Sequence, residues 1–157
     1  MARIIPIDPT LEKGYNVRLL VEDFDGLIEK WSNRSEKFRE TVDSSLDCQY
    51  GTGEKDKLDI FRCGKPNAPL FIFVHGGYWQ RGDKSVYSFV AESFVSSGID
   101  VALIGYQLCP SASMTNIVDK IREAVIWIWD NADDYAISKN RINVSGHSAG
   151  GHITGMI

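Results

Sequence analysis

Ser148 lies at the centre of a Gly-x-Ser-x-Gly motif, Gly146-His147-Ser148-Ala149-Gly150. This pattern is typical of a serine held on a sharp turn between a strand and a helix, with its hydroxyl oxygen exposed for nucleophilic attack. Residues 141–145 before the motif predict a buried strand, and residues 149–153 after it predict the start of a helix. That context favours a reactive serine over the alternative, a tight turn with a buried serine.

A second motif, His75-Gly76-Gly77-Tyr78-Trp79, follows the apolar run of residues 69–74. A His-Gly-Gly loop after a buried strand can present free backbone N–H groups to an oxyanion, because glycine lets the main chain approach a substrate oxygen closely. We expect Gly76, Gly77 and Ala149 to supply these N–H groups. The alternative is a simple turn that ends the strand.

A serine hydroxyl also needs a histidine that accepts its proton and a carboxylate that orients the histidine. Where this motif is used, both partners follow the serine in the chain. None of the three histidines fits the role: His75 is expected to hold its loop, His147 points away from the serine oxygen, and His152 lies on the following helix. No Asp or Glu follows Ser148. The sequence therefore predicts a nucleophile whose proton-transfer partners are absent from the chain.

The hydrophobic pattern predicts the elements that position these motifs. The continuous apolar run of residues 69–74 is typical of a strand buried on both faces of a parallel sheet, and residues 99–104 and 141–145 predict two further buried strands. Apolar residues at three- and four-residue steps predict helices over residues 23–42, 84–97 and 116–129. Residues 46–50 and 57–62 predict a hairpin, and residues 1–22 are poorly patterned. We expect one α/β domain over residues 1–157, with a mostly parallel sheet flanked by helices.

The composition excludes several classes of protein. The apolar share of 43% and net charge of −4 are ordinary for a globular domain and argue against a nucleic-acid partner. No run of eighteen apolar residues predicts a membrane span, and no signal peptide is evident, so a cytoplasmic location is expected. Three widely spaced cysteines predict reduced thiols and no metal site, and we expect no cofactor.

Five segments together resemble the kynurenine formamidase (arylformamidase) family of α/β-hydrolases. They are Trp31-Ser32-x-Arg34; Tyr50-Gly51 with Leu58-Asp59-Ile60-Phe61; His75-Gly76-Gly77-Tyr78-Trp79-Gln80; Gly105-Tyr106-Gln107-Leu108-Cys109-Pro110; and Gly146-His147-Ser148-Ala149-Gly150-Gly151-His152. They follow one another in order and cover nearly the whole chain.

The resemblance implies hydrolysis of N-formyl-kynurenine to kynurenine and formate in tryptophan catabolism. It places the nucleophile at Ser148 and the oxyanion donors at Gly76, Gly77 and Ala149. It implies an aromatic amide substrate, for which Tyr78 and Trp79 are either pocket walls or loop anchors packed into the core. Its triad Asp and His fall beyond residue 157, and its members are nearly twice this length, so we expect a fragment with little activity of its own. A homodimer is compatible with the resemblance.

Two other functions stay open. A carboxylesterase of the same fold would use the same Ser148 and His-Gly-Gly motif. A non-catalytic fragment that acts by binding would account for the absent acid and base.

Overall fold

Five strands form one mixed sheet at the centre of the computed structural model, which describes residues 8–157. The strands are β1 (Ser44–Gln49), β2 (Lys57–Phe61), β3 (Leu70–Val74), β4 (Asp100–Ile104) and β5 (Ile142–Gly146). Their order across the sheet is β1-β2-β4-β3-β5. Strand β3 runs parallel to both β4 and β5, whereas β2 is antiparallel to β1 and β4. The predicted hairpin is confirmed, and the three strands predicted at residues 69–74, 99–104 and 141–145 are the parallel ones. Burial is confirmed for β3 and β4. The prediction that β5 is buried was wrong, because β5 is the last strand of the sheet within residues 8–157 and none of its residues is fully buried.

Helices flank this sheet. They are α1 (Pro9–Tyr15), α2 (Phe24–Thr41), α3 (Ala91–Ser96), α4 (Met114–Asp130) and α5 (Ala149–Thr154), with 3-10 turns at Val17–Leu20, Lys84–Val90 and Lys139–Arg141. The predictions for α2 and α4 are confirmed to within two residues at each end. The prediction of one helix over residues 84–97 was wrong, because the first half of that segment is a 3-10 helix.

The poorly patterned N-terminal segment contains α1 from Pro9 onward. Asp8 caps it by accepting hydrogen bonds from the N–H groups of Thr10 and Leu11, and proline suits a first helical turn. No residue of α1 is buried, so the apolar spacing that reveals the other helices is missing here. Residues 1–7 of the poorly patterned segment lie outside the described residues.

The two faces of the sheet bury different groups of side chains. One face packs against α4 and α5 through a layer of aliphatic residues, including Ile72, Ile104, Ile117, Ile121 and Ile153. The other face packs against α2 and residues 84–96 through an aromatic layer, including Trp31, Phe38, Phe61, Phe73 and Tyr87. The fold is therefore a sheet covered on both sides by helices, as predicted. Within residues 8–157, no helix has the length and apolar character needed to cross a membrane.

The register of the parallel strands brings their carboxyl ends together. Val74 pairs with Ile104 of β4 and with Gly146 of β5. The chain therefore leaves all three strands at one edge of the sheet. The two motifs singled out from the sequence, residues 75–79 and 146–150, meet at this edge.

Candidate active site

Ser148 connects β5 to α5 in a conformation that L-amino acids rarely adopt, with φ 54° and ψ −118°. Such a backbone costs about 1–3 kcal/mol and persists only where the surrounding structure enforces it. The serine is exposed, and its Oγ makes no hydrogen bond within residues 8–157. The strand–turn–helix context that the motif requires is present, and the turn over residues 146–150 is called the elbow below.

Glycines allow the elbow to close. A Cβ atom added at Gly150 would overlap the carbonyl oxygen of Val74, and one added at Gly146 would overlap the backbone of Gly150. The first turn of α5 therefore lies directly on the backbone of β3 and β5. The N–H of His147 donates to the carbonyl of Val74 at 3.1 Å and fixes the elbow to the end of β3.

The loop that follows β3, residues 75–83, packs against the elbow and is called the His-Gly-Gly loop below. A Cβ atom added at Gly76 would lie 2.8 Å from the carbonyl oxygen of His147 and 3.1 Å from Cβ of Ser148. Gly76 is thus in direct contact with the serine, and any larger residue there would displace the elbow.

The next residues of the loop form a left-handed run. Gly77 has φ 127°, and Tyr78 and Trp79 each have φ 58°. The carbonyl of Gly77 accepts hydrogen bonds from the N–H groups of Gln80 and Arg81, at 3.1 and 3.0 Å. A Cβ atom at Gly77 would overlap the carbonyl of Arg81. This position therefore requires glycine both for its positive φ and for the lack of space for a side chain.

Backbone N–H groups from both motifs remain free beside Ser148. Within residues 8–157, the N–H groups of Gly76, Gly77 and Ala149 donate no hydrogen bond. Unpaired N–H groups in buried backbone are rare, and Gly76 and Ala149 are buried. These groups are available to an oxygen atom bound next to the serine.

His75 is built into the base of its loop. Its side chain is buried, and its Nδ1 donates to the carbonyl of Gly76 at 2.8 Å, since a carbonyl can only accept. Its own carbonyl accepts from the Tyr106 hydroxyl at 2.8 Å, and its ring stacks on Tyr106 at 4.4 Å and on Tyr87 at 5.7 Å. Burial lowers the pKa of His75, so the ring is neutral at pH 7. The histidine holds the loop, as expected from the sequence.

The other two histidines also make no hydrogen bond to the serine oxygen. His147 is exposed within the elbow, and His152 is exposed one turn along α5. The edge of His152 meets the ring of Trp79, with centroids 5.2 Å apart. Within residues 8–157, therefore, none of the three histidines is hydrogen-bonded to Ser148 Oγ, and no cluster of metal-binding side chains occurs there.

The structure places Tyr78 and Trp79 differently. Tyr78 is 57% exposed, with its ring edge-on to Trp79 at 5.6 Å. Trp79 is half-buried against the aliphatic core layer, and its carbonyl accepts from the N–H of Cys109 at 2.7 Å. Its indole Nε1 is buried without a hydrogen-bond partner in residues 8–157. Tyr78 is thus the aromatic side chain that is free to contact a ligand, and Trp79 is partly an anchor.

A buried ion cluster at the end of the His-Gly-Gly loop was missed in the sequence. Lys84 Nζ lies 2.6 Å from Asp59 Oδ1 and 2.8 Å from Asp47 Oδ1. Lys84 and Asp59 are both buried, and burial alone would lower the pKa of Lys84, but the two carboxylates outweigh that effect and raise it. The ion cluster could have been predicted from two charged residues in otherwise apolar segments, Asp59 in KLDIF and Lys84 in KSVYSFV.

Comparison with known proteins shows a family match and named relatives. Residues 58–157 match a family model described as BD-FAE. The kynurenine formamidase of Danio rerio is 31% identical over 125 residues, which are 78% of this chain and 41% of that protein. The kynurenine formamidase of Drosophila melanogaster is 35% identical over 111 residues, 69% of this chain and 36% of that protein. The chain thus spans about two fifths of the length of these relatives.

Proteins with esterase names are similar as well. A crystal structure from Silicibacter sp. TM1040, described as that of a thioesterase, superposes with a TM-score of 0.81 at 34% identity, over 92% of this chain and 53% of that chain. Esterase LipC of Mycobacterium tuberculosis is 31% identical over 112 residues, 68% of this chain and 28% of that protein. These matches confirm the α/β-hydrolase fold and the resemblance to kynurenine formamidases.

Proposed function

The chain belongs to the BD-FAE family and is similar to kynurenine formamidases and to an esterase, and we propose that it carries the nucleophile and oxyanion hole of an aryl formamidase. The reaction proposed is hydrolysis of N-formyl-kynurenine to kynurenine and formate. One observation carries the proposal: an exposed serine in a strained backbone, pressed against a glycine loop whose N–H groups are free.

In the proposed reaction, Ser148 Oγ attacks the formyl carbon. A C–O bond forms, and the electron pair of the carbonyl π bond moves onto the formyl oxygen. The N–H groups of Gly76, Gly77 and Ala149 donate to this oxyanion, and each such donor typically contributes about 3–4 kcal/mol to lowering the barrier. The C–N bond then breaks, the aryl amine leaves with a proton, and water hydrolyses the formyl-serine to formate.

The proton transfers need a base that accepts the serine proton and returns it to the amine. His75 is unsuited because it is buried and bonded to Gly76. We assign this role to residues of the full-length protein outside those described here. The 157-residue chain by itself is then expected to hydrolyse the substrate at a small fraction of the full-length rate, since oxyanion donors alone leave only residual catalysis.

The aromatic substrate is supported by the loop that carries the oxyanion donors. Tyr78 follows Gly77 directly and exposes its ring, and Trp79 stands edge-on to it. We propose that these two rings form one wall of the pocket for the aryl group, with Tyr78 making the larger contact. The similarity to the kynurenine formamidases of Danio rerio and Drosophila melanogaster supports such a substrate.

A carboxylesterase is the second candidate, favoured by the similarity to the LipC esterase and to the thioesterase structure. Ester hydrolysis would use the same serine and the same N–H groups. The two candidates differ in the leaving group and in the pocket that holds it.

Turnover by the full-length protein separates these possibilities. With N-formyl-kynurenine and 4-nitrophenyl acetate as competing substrates, we expect the larger kcat/KM for the formamide; a strong preference for the ester would favour the esterase. Ser148→Ala should lower kcat by several orders of magnitude, on the order of 10⁵–10⁶. Ser145→Ala, at a half-buried serine of β5, is the matched control and should leave kcat unchanged.

A fluorophosphonate probe tests the third possibility, a protein that acts by binding alone. The probe should label the wild-type protein at Ser148 and leave Ser148→Ala unlabelled. A full-length protein that neither turns over substrate nor reacts with the probe would contradict both hydrolase candidates.

A further inference from the structure

We propose that Lys84 is a positioning residue for the oxyanion donors, acting through its buried ion pair with Asp59. The inference rests on the proposed function, because it assigns Lys84 a part in the rate of that reaction. Lys84 itself does not touch Ser148; it follows the His-Gly-Gly loop directly and fixes the place where the loop ends.

The His-Gly-Gly loop needs external support because its backbone is strained. Tyr78 and Trp79 are two successive non-glycine residues with positive φ, between glycines at 77 and 82 that also have positive φ. Each such non-glycine residue costs about 1–3 kcal/mol and relaxes unless neighbouring structure enforces it. Relaxation would move Gly76 and Gly77, whose N–H groups are the proposed oxyanion donors.

Three contacts enforce the loop. At its start, the Tyr106 hydroxyl donates to the carbonyl of His75 at 2.8 Å. In its middle, the N–H of Cys109 donates to the carbonyl of Trp79 at 2.7 Å. At its end, Lys84 bonds to Asp59 of β2 and to Asp47 of the β1 bulge.

Gly82 links the ion pair of Lys84 to the proposed oxyanion donor Gly76. A Cβ atom at Gly82 would lie 2.9 Å from the carbonyl of Gly76 and 3.0 Å from Nδ1 of His75. The end of the loop therefore packs on its beginning, two residues before Lys84. A displacement of the backbone at Lys84 is therefore expected to reach Gly76 through Gly82.

The ion pair is well suited to this task because both of its charges are buried. Lys84 Nζ and Asp59 Oδ1 are 2.6 Å apart, and the same Asp59 oxygen accepts the N–H of Asp47 at 2.8 Å. Removing one partner of a buried pair leaves the other charge uncompensated, so the remaining side chain must move toward water. Asp47 contributes less, since its side chain is 64% exposed.

The test compares an ester with its thiono analogue, in which sulfur replaces the carbonyl oxygen. Sulfur is a weak hydrogen-bond acceptor, so the thiono ester gains little from the oxyanion donors. We therefore divide kcat/KM for the ester by kcat/KM for the thiono ester. This ratio measures how well the N–H donors are aligned, and it does not depend on the fraction of protein that is folded. In the full-length protein, Lys84→Met should lower this ratio about 10- to 100-fold, the effect of misplacing one donor.

Asp59→Asn is a second test variant, and Lys120→Met is the matched control. Asp59→Asn keeps the size of the side chain and should lower the ratio in the same direction, which keeps the test open if Lys84→Met fails to fold. Lys120 also bridges one buried and one exposed carboxylate, Asp56 at 3.2 Å and Glu123 at 2.6 Å. Within residues 8–157 it makes no hydrogen bond or ion pair with the loop, so Lys120→Met should leave the ratio unchanged.

A wild-type ratio retained in Lys84→Met and Asp59→Asn would overturn the positioning role, as would an equal loss in Lys120→Met. Failure of the proposed function has a different signature: the full-length wild-type protein would not turn over N-formyl-kynurenine, whatever the ratio of the two esters in the variants.

Discussion

The elbow and the His-Gly-Gly loop both hold left-handed backbone beside the same serine, but different forces hold them. The elbow has one strained residue, Ser148, and it is enforced by backbone packing that only Gly146 and Gly150 permit. The loop has a run of strained residues, and it is enforced by polar side chains from other parts of the chain.

This difference explains why the geometry of the elbow can be predicted from its motif, whereas the geometry of the loop cannot. The elbow is encoded by residues within a stretch of five, so its geometry follows from the motif. The loop depends on Asp59, Tyr106 and Cys109, which lie up to 31 residues away in sequence from the residues they contact (Tyr106 against His75). Packing against backbone tolerates no substitution, whereas polar anchors can be weakened one at a time.

The largest effect is expected at Gly150. Gly150→Ala would drive a methyl group into the carbonyl of Val74, and we expect a loss of about 3 kcal/mol or more in the free energy of unfolding, at the upper end for overpacking. Urea unfolding of the full-length protein measures it. Gly155→Ala is the control, because a Cβ there meets its nearest atom at 3.5 Å, and it should cost little. Equal stability of the two variants would contradict a sterically held elbow.

Removal of one polar anchor should be milder and should act on turnover. Tyr106→Phe leaves the buried carbonyl of His75 without its partner, at a cost of about 1–3 kcal/mol in unfolding free energy. Tyr50→Phe is a matched control, because Tyr50 is also buried and donates to the carbonyl of Gly105 at 2.7 Å. Both variants should be destabilised, but only Tyr106→Phe should lower kcat for the formamide. Equal kcat values would show that the loop needs no such anchor.

The stability of the loop should also depend on pH. Burial lowers the pKa of His75, so the unfolded chain takes up a proton below about pH 6.5 that the folded chain does not. Stability is then lost as the pH falls from 6.5 toward the lower folded pKa, by at most about 1.4 kcal/mol per pH unit. Thermal or urea unfolding between pH 5 and 7 should show this slope in the wild type and a flatter one in His75→Asn. An unchanged slope in that variant, or an equal change in His152→Asn, would assign the effect elsewhere.

The smallest expected effect is a gain in stability at the elbow itself. Ser148→Gly relieves the strain of φ 54°, so it should be about 1 kcal/mol more stable than Ser148→Ala, although both lack the nucleophile. Ser145→Gly, in the middle of β5, should instead be destabilised by about 0.5–1 kcal/mol. Calorimetric melting of the three variants gives the order; a Ser148→Gly variant no more stable than Ser148→Ala would mean that the elbow stores no strain.

Much of the fold could be predicted because its signals are local. The strands predicted at residues 69–74, 99–104 and 141–145 are the parallel strands β3, β4 and β5, and the apolar stripe of residues 116–129 is the buried face of α4. The motif at Ser148, with a strand before it and a helix after it, predicts the elbow for the same reason.

The 3-10 segment Lys84–Val90 could not be predicted, because residues far along the chain decide it. Arg39 donates to the carbonyl of Ser85 at 2.6 Å, and Ser35 Oγ accepts the N–H of Phe89 at 3.0 Å and donates to the carbonyl of Val86 at 2.7 Å. The Ser85 carbonyl and the Phe89 N–H would form one α-helical bond, and α2 engages both. The ion cluster around Lys84 was missed for a related reason, since its partners lie in β1 and β2.

The order of the strands along the chain means that the supports of the His-Gly-Gly loop are synthesised before the serine. Every strand and hydrogen-bond partner that supports the His-Gly-Gly loop, from Asp47 to Cys109, precedes α4 and β5 in the chain. Chains are made from the amino end, and early segments can begin to organise first. The four strands β1-β2-β4-β3 can therefore pair before the ribosome has added the serine, and β5 then docks beside β3. In this order the nucleophile reaches a loop whose supports are already in place.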